Sequence, residues 1–386
     1  VLQQTGSESA VALLVALITF PSLLFLPFTG LLIDRVDRRH LAIVLDVGRG
    51  LAVAAVAASA WSGHLRLWQV YALGVSVGIG AFIYWPNLAA LIQEVVEGRD
   101  TVAVNALLMG AAQGGWMLAG TVVWLLYGAW GIAGVLTVDA LTYAVSASLT
   151  FSLRRGKNLD YRKHHQGETV ASFAHELAAG VRYALGRRPV LLLGAGAALF
   201  QAAMLSQNVL TAPLNDKILR SGVMGFGLCN AGWSLGAILA SGAAGAGFRR
   251  EGRATHVLWL ALAVTGVCCI VLPFSGFLAL AVVLYILMGG GRGLAGVAIS
   301  TALMQEVPRH VMGRTQNLFT FAGILLQLLM TFGAGWLAEH VHLATGFLLV
   351  GGAYLAGATL SYGLRGHAPA FPAAEGEPVL VGHEEA

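Results

Sequence analysis

The stretch Gly30-Leu-Leu-Ile-Asp-Arg-Val-Asp-Arg-Arg39 lies between two long apolar runs. Two acids and three arginines fall within its last six residues. Charges of both signs at the end of an apolar run indicate a segment held in place by ion pairs, and a glycine at its start allows close packing on a neighbouring helix. This charged stretch, residues 30–39, therefore predicts a structured turn between two helices.

The composition of the 386 residues is that of a membrane protein. Hydrophobic residues make up 57% of the chain and charged residues 11%, and the mean hydropathy is +0.74. A soluble domain contains about 25% charged residues. The 50 glycines fit the membrane class, because membrane helices pack through small residues rather than through a hydrophobic drive. We therefore predict an all-α membrane protein with many spans.

Apolar runs of about 20 residues, the length needed to cross a bilayer, divide the chain into two groups. The first group of five lies near 10–33, 41–62, 67–92, 102–127 and 131–153. The second group of six lies near 190–212, 222–247, 254–274, 277–303, 315–338 and 342–364. The sequence therefore predicts eleven transmembrane helices in two bundles.

A polar segment, residues 154–189, separates the two groups and is predicted to be a cytoplasmic linker. Within it Phe173, Leu177, Val181 and Leu185 recur at every fourth position, which indicates an amphipathic helix at the membrane surface. The predicted domains are an N-terminal bundle (1–153), this linker (154–189), a C-terminal bundle (190–365) and a tail (366–386). The tail is rich in Pro, Gly, Ala and Glu, which predicts a disordered cytoplasmic segment.

The distribution of the 23 lysines and arginines predicts the orientation of the chain. Eighteen lie in connections on one face of the membrane and three on the other, while Arg49 and Arg292 lie inside apolar runs. Short cytoplasmic loops collect Lys and Arg. The charged stretch and the C-terminus are therefore predicted to be cytoplasmic, in a multi-pass protein of the cell (inner) membrane.

The sequence repeats itself at an offset of 212 residues. Gly30 falls on Gly242, and Gln93-Glu94-Val95 falls on Gln305-Glu306-Val307. Both copies of the repeat lie on the same predicted face of the membrane. This predicts two parallel bundles related by an axis along the membrane normal. The second bundle has six runs against five in the first. We therefore predict a twelve-helix protein whose first helix is missing from this chain.

The pattern Gly30-x-Leu-x-Asp34-Arg35-x-x-Arg38-Arg39 resembles the cytoplasmic signature between helices 2 and 3 of the major facilitator superfamily. Residues 41–50, and Val307-Pro308 followed by Gly313-Arg314, resemble the subgroup of enterobactin exporters and macrolide efflux proteins. The resemblance implies the major facilitator fold and a secondary active transporter. It further implies efflux of a small amphipathic organic compound, drug-like or siderophore-like, by alternating access.

In that family the loop aspartate lies at the N-terminus of helix 11, and the arginines pair with acids at neighbouring helix ends. These contacts hold the two halves in the outward-facing state. The resemblance therefore implies a conformational latch at Gly30, Asp34, Arg35, Arg38, Arg39, Asp46 and Glu94, in which Arg35 or Arg38 reaches Asp46 or Glu94. The alternative is that the arginines only anchor the turn in the cytoplasm.

Arg292 is the first candidate for a substrate or coupling contact. An ionised side chain at the centre of a bilayer helix costs about 2.5–3.5 kcal/mol on insertion scales, so it indicates a specific role. The family fold places the run 277–303 beside the central cavity. The alternative is a structural pair with Glu306 or with a helix C-terminus.

Asp139 is a second ionisable candidate, on a run that the family fold places at the periphery. Local hydrogen bonding with Thr137 or Thr142, or an interhelical pair, is the alternative explanation. The remaining substrate or coupling candidates are polar and aromatic residues of the apolar runs, namely Gln113, Gln201, Tyr84 and Tyr285, together with Trp85, Gln207 and Asn208. Singly, each is equally explained by packing between helices.

Two signatures of proton-coupled drug antiporters in the superfamily are absent. Gly74 occupies the place of an arginine four residues before Gly78-Ile-Gly80, and the fifth helix has Gly115-Trp116 where those antiporters have a Gly-Pro pair. Protons are therefore a coupling ion expected from the family alone.

The Gly-x-Ser-x-Gly pattern occurs only inside apolar runs, at 74–78 and 232–236, rather than at a strand-to-helix elbow, and the sequence contains no His-Glu-x-x-His or Walker motif. We therefore predict neither an enzyme nor ATP-driven transport. No cofactor, metal or nucleic acid is expected. The predicted partners are a small-molecule substrate, protons and the lipid bilayer, and we expect a monomer. Two alternatives to efflux are a lysophospholipid flippase, and a non-transporting scaffold or sensor if the first helix is truly absent.

Overall fold

The computed structural model describes residues 1, 5–95, 101–153, 178, 180–247 and 253–364, and these residues are almost entirely helical. The helices in chain order are α1 (Glu8–Arg35), α2 (Arg38–Trp61), α3 (Leu67–Val95), α4 (Thr101–Ser152), α5 (Arg188–Ser206), α6 (Asn208–Pro213), α7 (Gly222–Gly247), α8 (Arg253–Val271), α9 (Leu278–Glu306), α10 (Arg309–His340) and α11 (Leu343–Tyr362). Helices are expected, because the bilayer core contains no water to hydrogen-bond backbone N–H and C=O groups, and a helix pairs these groups internally.

Among the described residues, nine helices are long and apolar enough to cross a membrane. The prediction of eleven differs at two places. In α1 the apolar helical segment found is the shorter one, Ser9–Pro21. The runs 102–127 and 131–153 form the single helix α4, which is interrupted at Gly131 with φ 61° and ψ −159°. The predicted count of eleven and the missing first helix are therefore not confirmed.

Gly131 divides α4 into a first limb (101–130) and a second limb (132–152). A positive φ is a conformation that glycine adopts readily because it has no Cβ. The chain can therefore change direction between the limbs without a longer loop. The second limb packs on α2, and the first limb reaches α7.

The charged stretch is more helical than predicted. Residues 30–35 belong to α1 and Arg38 begins α2, so only Val36 and Asp37 lie between the helices. The Asp37 carboxylate accepts a 3.0 Å hydrogen bond from the backbone N–H of His40. This acid is therefore the N-cap of α2, and it fixes where the second helix starts.

The helices form two packed groups. In the first, α3 packs on α1 and α2, and α2 packs on α4. In the second, α9 packs on α7 and α8, while α5 packs on α10 and α11. The groups meet through α1 with α10 and through α4 with α7. The predicted linker and tail boundaries stay predictions, because 154–177 and 365–386 lie outside the described residues.

The internal repeat extends to the helix boundaries. Shifted by 212 residues, α1, α2, α3 and the two limbs of α4 fall on α7, α8, α9, α10 and α11 to within four residues at every end. The packing of α1 on α3 recurs as α7 on α9, and that of α2 on α3 recurs as α8 on α9. The two groups are therefore parallel copies of one helical pattern.

The helices end at two faces of the bundle. The loop face contains the turn at residues 36–37, and the opposite face contains the residues between α2 and α3 (62–66) and the residues between α10 and α11 (341–342). Large apolar side chains are exposed around the outside, including Leu51, Leu149 and Leu329. Such a surface suits contact with lipid rather than water.

Candidate functional site

The membrane span formed by α5 and α6 is irregular at its C-terminal end, which approaches the opposite face. Gln207 separates α5 from α6, and a π turn at Leu214–Ile218 follows Pro213. Proline lacks the backbone N–H that would continue the helical pattern. Within this segment the Asn215 side chain donates a 2.9 Å hydrogen bond to the backbone carbonyl of Thr211. Broken membrane helices of this kind commonly border binding sites.

A pocket of about 100 Å³ lies against this irregular segment. Its walls come from α5, α6, α7 and α9 of the second group. They combine one cation with amides, hydroxyls and an indole. The lining residues are Met204, Leu205, Gln207, Asn208, Thr211, Asn230, Trp233, Ser234, Tyr285 and Arg292.

Gln207 is the least satisfied polar group of this pocket. Its side chain is only 3% exposed, yet its Oε1 has no hydrogen-bond partner among the described residues. A buried acceptor without a partner costs about 1–3 kcal/mol. A donor on a bound molecule would remove that cost.

Tyr285 and Arg292 form the α9 wall of the pocket. The Tyr285 hydroxyl donates a 2.9 Å hydrogen bond to Oγ1 of Thr211, and its ring lies edge-on to Trp233 at 6.3 Å between centroids. Arg292 is half-buried, and its Nε lies 3.1 Å from the Met204 sulfur. A thioether is a weak acceptor, so a stronger acceptor on a bound molecule would displace this contact.

Four of the residues predicted from sequence meet in this pocket: Arg292, Tyr285, Gln207 and Asn208. Gln201 instead lines a separate cavity of about 160 Å³ with Ser300 and Gln316. The sequence reasoning missed Asn230 and Ser234 of α7. Their spacing was the available signal, since two polar residues four apart share one face of a helix.

A buried ion pair joins the helices of the first group. Arg49 and Asp46 are 7% and 1% exposed, and their side chains meet at 2.5 Å. Ser146 donates a 2.7 Å hydrogen bond to the other Asp46 oxygen. The Arg49 guanidinium also lies over the rings of Tyr84 and Tyr143, at 4.6 and 4.9 Å. This cluster connects α2, α3 and α4.

This cluster bears on Tyr84, predicted as a substrate contact, and on Asp46, predicted as part of the latch. Tyr84 packs against Arg49, and Trp85 beside it is exposed. The described partners of Asp46 are Arg49 and Ser146. Arg49 lies close because an i,i+3 neighbour shares the helix face, whereas Ser146 belongs to the neighbouring helix α4. Pairing of Asp46 with Arg35 or Arg38 stays a prediction.

Arg39 holds the end of the second limb of α4. Its Nε donates a 3.1 Å hydrogen bond to the Thr150 carbonyl, its Nη2 bonds the Phe151 carbonyl, and its guanidinium lies over the Phe151 ring at 5.2 Å. The last carbonyls of a helix lack partners within the helix, and a cation there is favourable. Asn87 likewise donates 2.8 Å to the Arg38 carbonyl. The start of α2 is thereby fixed to α3 and α4.

Asp139 is exposed on the second limb of α4. The hydroxyl of Thr142 donates to its backbone carbonyl at 2.7 Å, while Thr137 donates to Ala133 and accepts from Trp61. None of these hydrogen bonds involves the Asp139 carboxylate, so its role in coupling or substrate binding stays a prediction. The backbone of Gly30, Asp34, Arg35, Glu94 and Gln113 is described as helix, but the surroundings of these residues are not, so their predicted roles stay predictions.

Three described contacts join the two groups. At the opposite face, Glu339 of α10 accepts hydrogen bonds from Ser7 and Ser9 at the start of α1. Deeper in the bundle, Gln327 Nε2 donates to Thr19 Oγ1 at 2.8 Å. Gly120 and Gly227 bring α4 and α7 into backbone contact. These contacts extend from the opposite face to the middle of the bundle.

Comparison with known proteins agrees with this architecture. The family model described as Major Facilitator Superfamily matches residues 1–331. An uncharacterized MFS-type transporter of Bacillus subtilis, YfiS, is 27% identical over 90% of this chain and 83% of its own length. Macrolide efflux protein A of Streptococcus pyogenes is 23% identical over 90% of this chain and 85% of its own.

Solved structures share the fold at low sequence identity. The nucleoside transporter NupG superposes with a TM-score of 0.73 at 12% identity, covering 93% of this chain and 90% of its own. A D-xylose-proton symporter superposes with a TM-score of 0.72 at 14% identity, covering 93% and 89%.

Proposed function

This chain belongs to the Major Facilitator Superfamily, and we propose that it exports a small amphipathic organic compound, drug-like or siderophore-like, by alternating access. The macrolide efflux proteins among its relatives support the export direction. A membrane transporter of this class has no need of a cofactor, and protons are the proposed coupling ion.

The pocket beside the broken α5–α6 span carries the proposal. Its lining contains the Arg292 guanidinium, the ring of Trp233 and the buried oxygen of Gln207, which has no partner in the described part of the chain. A molecule with polar groups on an aromatic or apolar body matches such a lining, since ligand sites are mostly apolar with a few placed polar groups. Asp139, Gln113 and Gln201 are proposed as secondary coupling or substrate contacts.

The contacts between the groups support a particular state of the cycle. If the charged stretch is cytoplasmic, as the distribution of Lys and Arg indicates, the opposite face is the outer one. The contacts of Glu339 and of Gly120 then close the outer side. The structure is accordingly proposed to be inward-facing, in the inner membrane.

The cytoplasmic latch is proposed to act in the other state. Asp34 would meet the N-terminus of α10 when the inner side closes, and Arg35 and Arg38 would pair with Asp46 or Glu94. Arg39 is proposed to keep the first group rigid during this movement, because it joins α2 to the end of α4.

Transport of candidate compounds tests the proposal. Strains that lack their own efflux systems would be challenged with drugs and siderophores, with and without this protein. Any compound to which the protein confers resistance would then be followed in proteoliposomes. We expect export whose kcat/KM is about 10- to 100-fold lower in the Arg292→Ala variant. Net uptake would overturn the direction, and binding without transport would favour a scaffold or sensor.

A flippase of lysophospholipids is the second candidate, favoured by one observation. A groove of about 520 Å³ between α2 and the second limb of α4 is lined by small apolar residues, with Trp61 and Asp46 also on its wall. An acyl chain fits such a lining. Transfer of a labelled lysophospholipid between leaflets of proteoliposomes distinguishes this function from export of soluble compounds.

A further inference from the structure

Glu339, near the end of α10, lies at the start of α1 in the other group. Its Oε2 accepts 2.7 Å hydrogen bonds from the Ser7 hydroxyl and from the backbone N–H of Ser9. Ser7 is the N-cap of α1, and its hydroxyl oxygen also accepts from the backbone N–H of Ala10. A carboxylate from one group therefore occupies the positive end of a helix of the other, a favourable arrangement.

The two helices end in the same way. α1 runs from the opposite face to the loop face and α10 runs back, so the N-terminus of each helix is on the same face as the C-terminus of the other. Glu339 is the last residue but one of α10, and Asp34 is the last but one of α1. A basic residue follows each of them, His340 and Arg35.

A contact near the middle of the pair completes this arrangement. Thr19 lies about 18 Å along α1 from Ser7, and Gln327 about 20 Å along α10 from His340, at 1.5 Å per residue. Their hydrogen bond is 2.8 Å long. Tilting about this point would bring one pair of ends together while it separates the other.

We propose that Glu339 is an outer latch, the counterpart of Asp34, and that the two acids each hold one end of the α1–α10 pair in alternate states. The inference rests on the proposed alternating access. In the inward-facing state Glu339 binds the N-terminus of α1. In the outward-facing state that contact opens, and Asp34 binds the N-terminus of α10.

The surroundings of Glu339 leave the start of α1 as its described partner. His340 follows it, but the ring of His340 stacks on Trp336 and lies 3.1 Å from the Trp336 carbonyl. Among the described residues the carboxylate forms no ion pair. Neutralising it therefore weakens the contact between the groups without unpairing another charge.

Pulsed electron paramagnetic resonance on the full chain in lipid nanodiscs tests the latch. Spin labels at His64→Cys and Asp216→Cys would report the separation of the two groups at the opposite face, where both residues are exposed. The three native cysteines are buried, so they should remain unlabelled. We expect Glu339→Gln to increase the ratio of long to short distances about two- to fivefold.

Opposite effects of the two acids are the decisive result. Asp34→Asn should lower the same ratio, and the double variant should return toward the wild type. Ser7→Ala should act in the same direction as Glu339→Gln. Arg66→Ala, which removes an exposed charge at the same face, is the control that should change nothing. An unchanged distribution in Glu339→Gln, or a shift of both acid variants in the same direction, would overturn the latch.

A parallel transport assay separates this inference from the proposed function. Distances that shift as expected in a protein that transports no tested compound would leave the latch standing and count against export. Export that continues while Glu339→Gln leaves the distances unchanged would remove the latch and leave the proposed function standing.

Discussion

Gly120 of α4 and Gly227 of α7 bring the backbones of the two groups into direct contact. A Cβ built on Gly120 would lie 2.7 Å from the carbonyl oxygen of Gly227, and one built on Gly227 would lie 2.7 Å from the carbonyl oxygen of Gly120. Real Cβ atoms do not approach backbone so closely, and backbone cannot rotate away as a flexible side chain can. Any side chain at either position must therefore move the two groups apart.

Gly120→Ala is expected to disfavour the state described here. Overpacking of this kind costs about 1–3 kcal/mol, so the population closed at the opposite face should fall and export should slow by at least about fivefold. The spin-label distances across that face measure the shift. Gly128→Ala is the matched control, because a Cβ there meets nothing within 4 Å. Equal behaviour of the two variants would contradict the prediction.

Arg292→Ala is expected to impair export far more than membrane insertion. Hydrogen bonds to charged groups contribute about 1.5–3 kcal/mol, so the kcat/KM for export should fall about 10- to 100-fold, with Arg292→Lys in between. The amount of protein in the membrane is measured alongside transport. Arg66→Ala removes an exposed arginine at the opposite face and should leave both unchanged. Parallel losses of insertion and export in Arg292→Ala would make the residue structural.

Gln207→Leu separates a ligand-binding role from a packing role. Because Oε1 has no described partner, removing it relieves a buried unsatisfied acceptor. The variant also loses the side-chain hydrogen bond between Gln207 and Tyr285, so the two effects oppose each other and the thermal unfolding midpoint should stay about equal. Substrate affinity should fall at least about fivefold, by the same order of energy. Loss of stability together with loss of binding would instead indicate that the amide supports the helix break.

Asp46→Ala is expected to destabilise the first group strongly. Removal of one partner of a buried ion pair leaves an uncompensated charge, at a cost of about 3–5 kcal/mol. The unfolding midpoint in detergent should drop, and the double variant Asp46→Ala with Arg49→Met should recover much of it. Asp139→Asn is the control for stability, since that carboxylate is exposed. A similar drop in the control would remove the special role of the pair.

Asp34→Asn is expected to reduce export severely while the protein stays in the membrane. The carboxylate supplies the charge that the N-terminus of α10 attracts in the proposed outward-facing state. Asp37→Asn serves as the comparison, because Asn caps a helix as well as Asp does and the α2 cap would persist. Unchanged export rates in Asp34→Asn vesicles would rule out the inner latch.

The sequence predicted the helices better than it predicted the contacts between them. The apolar runs and the offset of 212 anticipated the helix bounds, because hydropathy acts over about 20 residues of local chain. Two local details were not predicted: the charged stretch continues α1 and α2 as helix, and Gly131 joins two apolar runs into α4. Charged residues at a helix end look the same in sequence whether they form a turn or extend the helix.

The candidate site was partly predictable for the same reason. Arg292, Tyr285 and Gln207 stand out as polar or aromatic groups in apolar runs, and they line one pocket. Tyr84 stands out equally, yet it packs on Arg49. Sequence spacing assigns a residue to a face of its own helix but not to the neighbour that this face meets.

By itself, the sequence determined the membrane class, most of the helix bounds and the parallel repeat, because these depend on composition and on periodicity along the chain. Only the tertiary structure decided which distant residues meet: Glu339 with Ser7, Gly120 with Gly227, and Gln207 with Tyr285 around one pocket. Such meetings depend on the rotation and crossing of each helix against its neighbours, which are set by packing over the whole bundle.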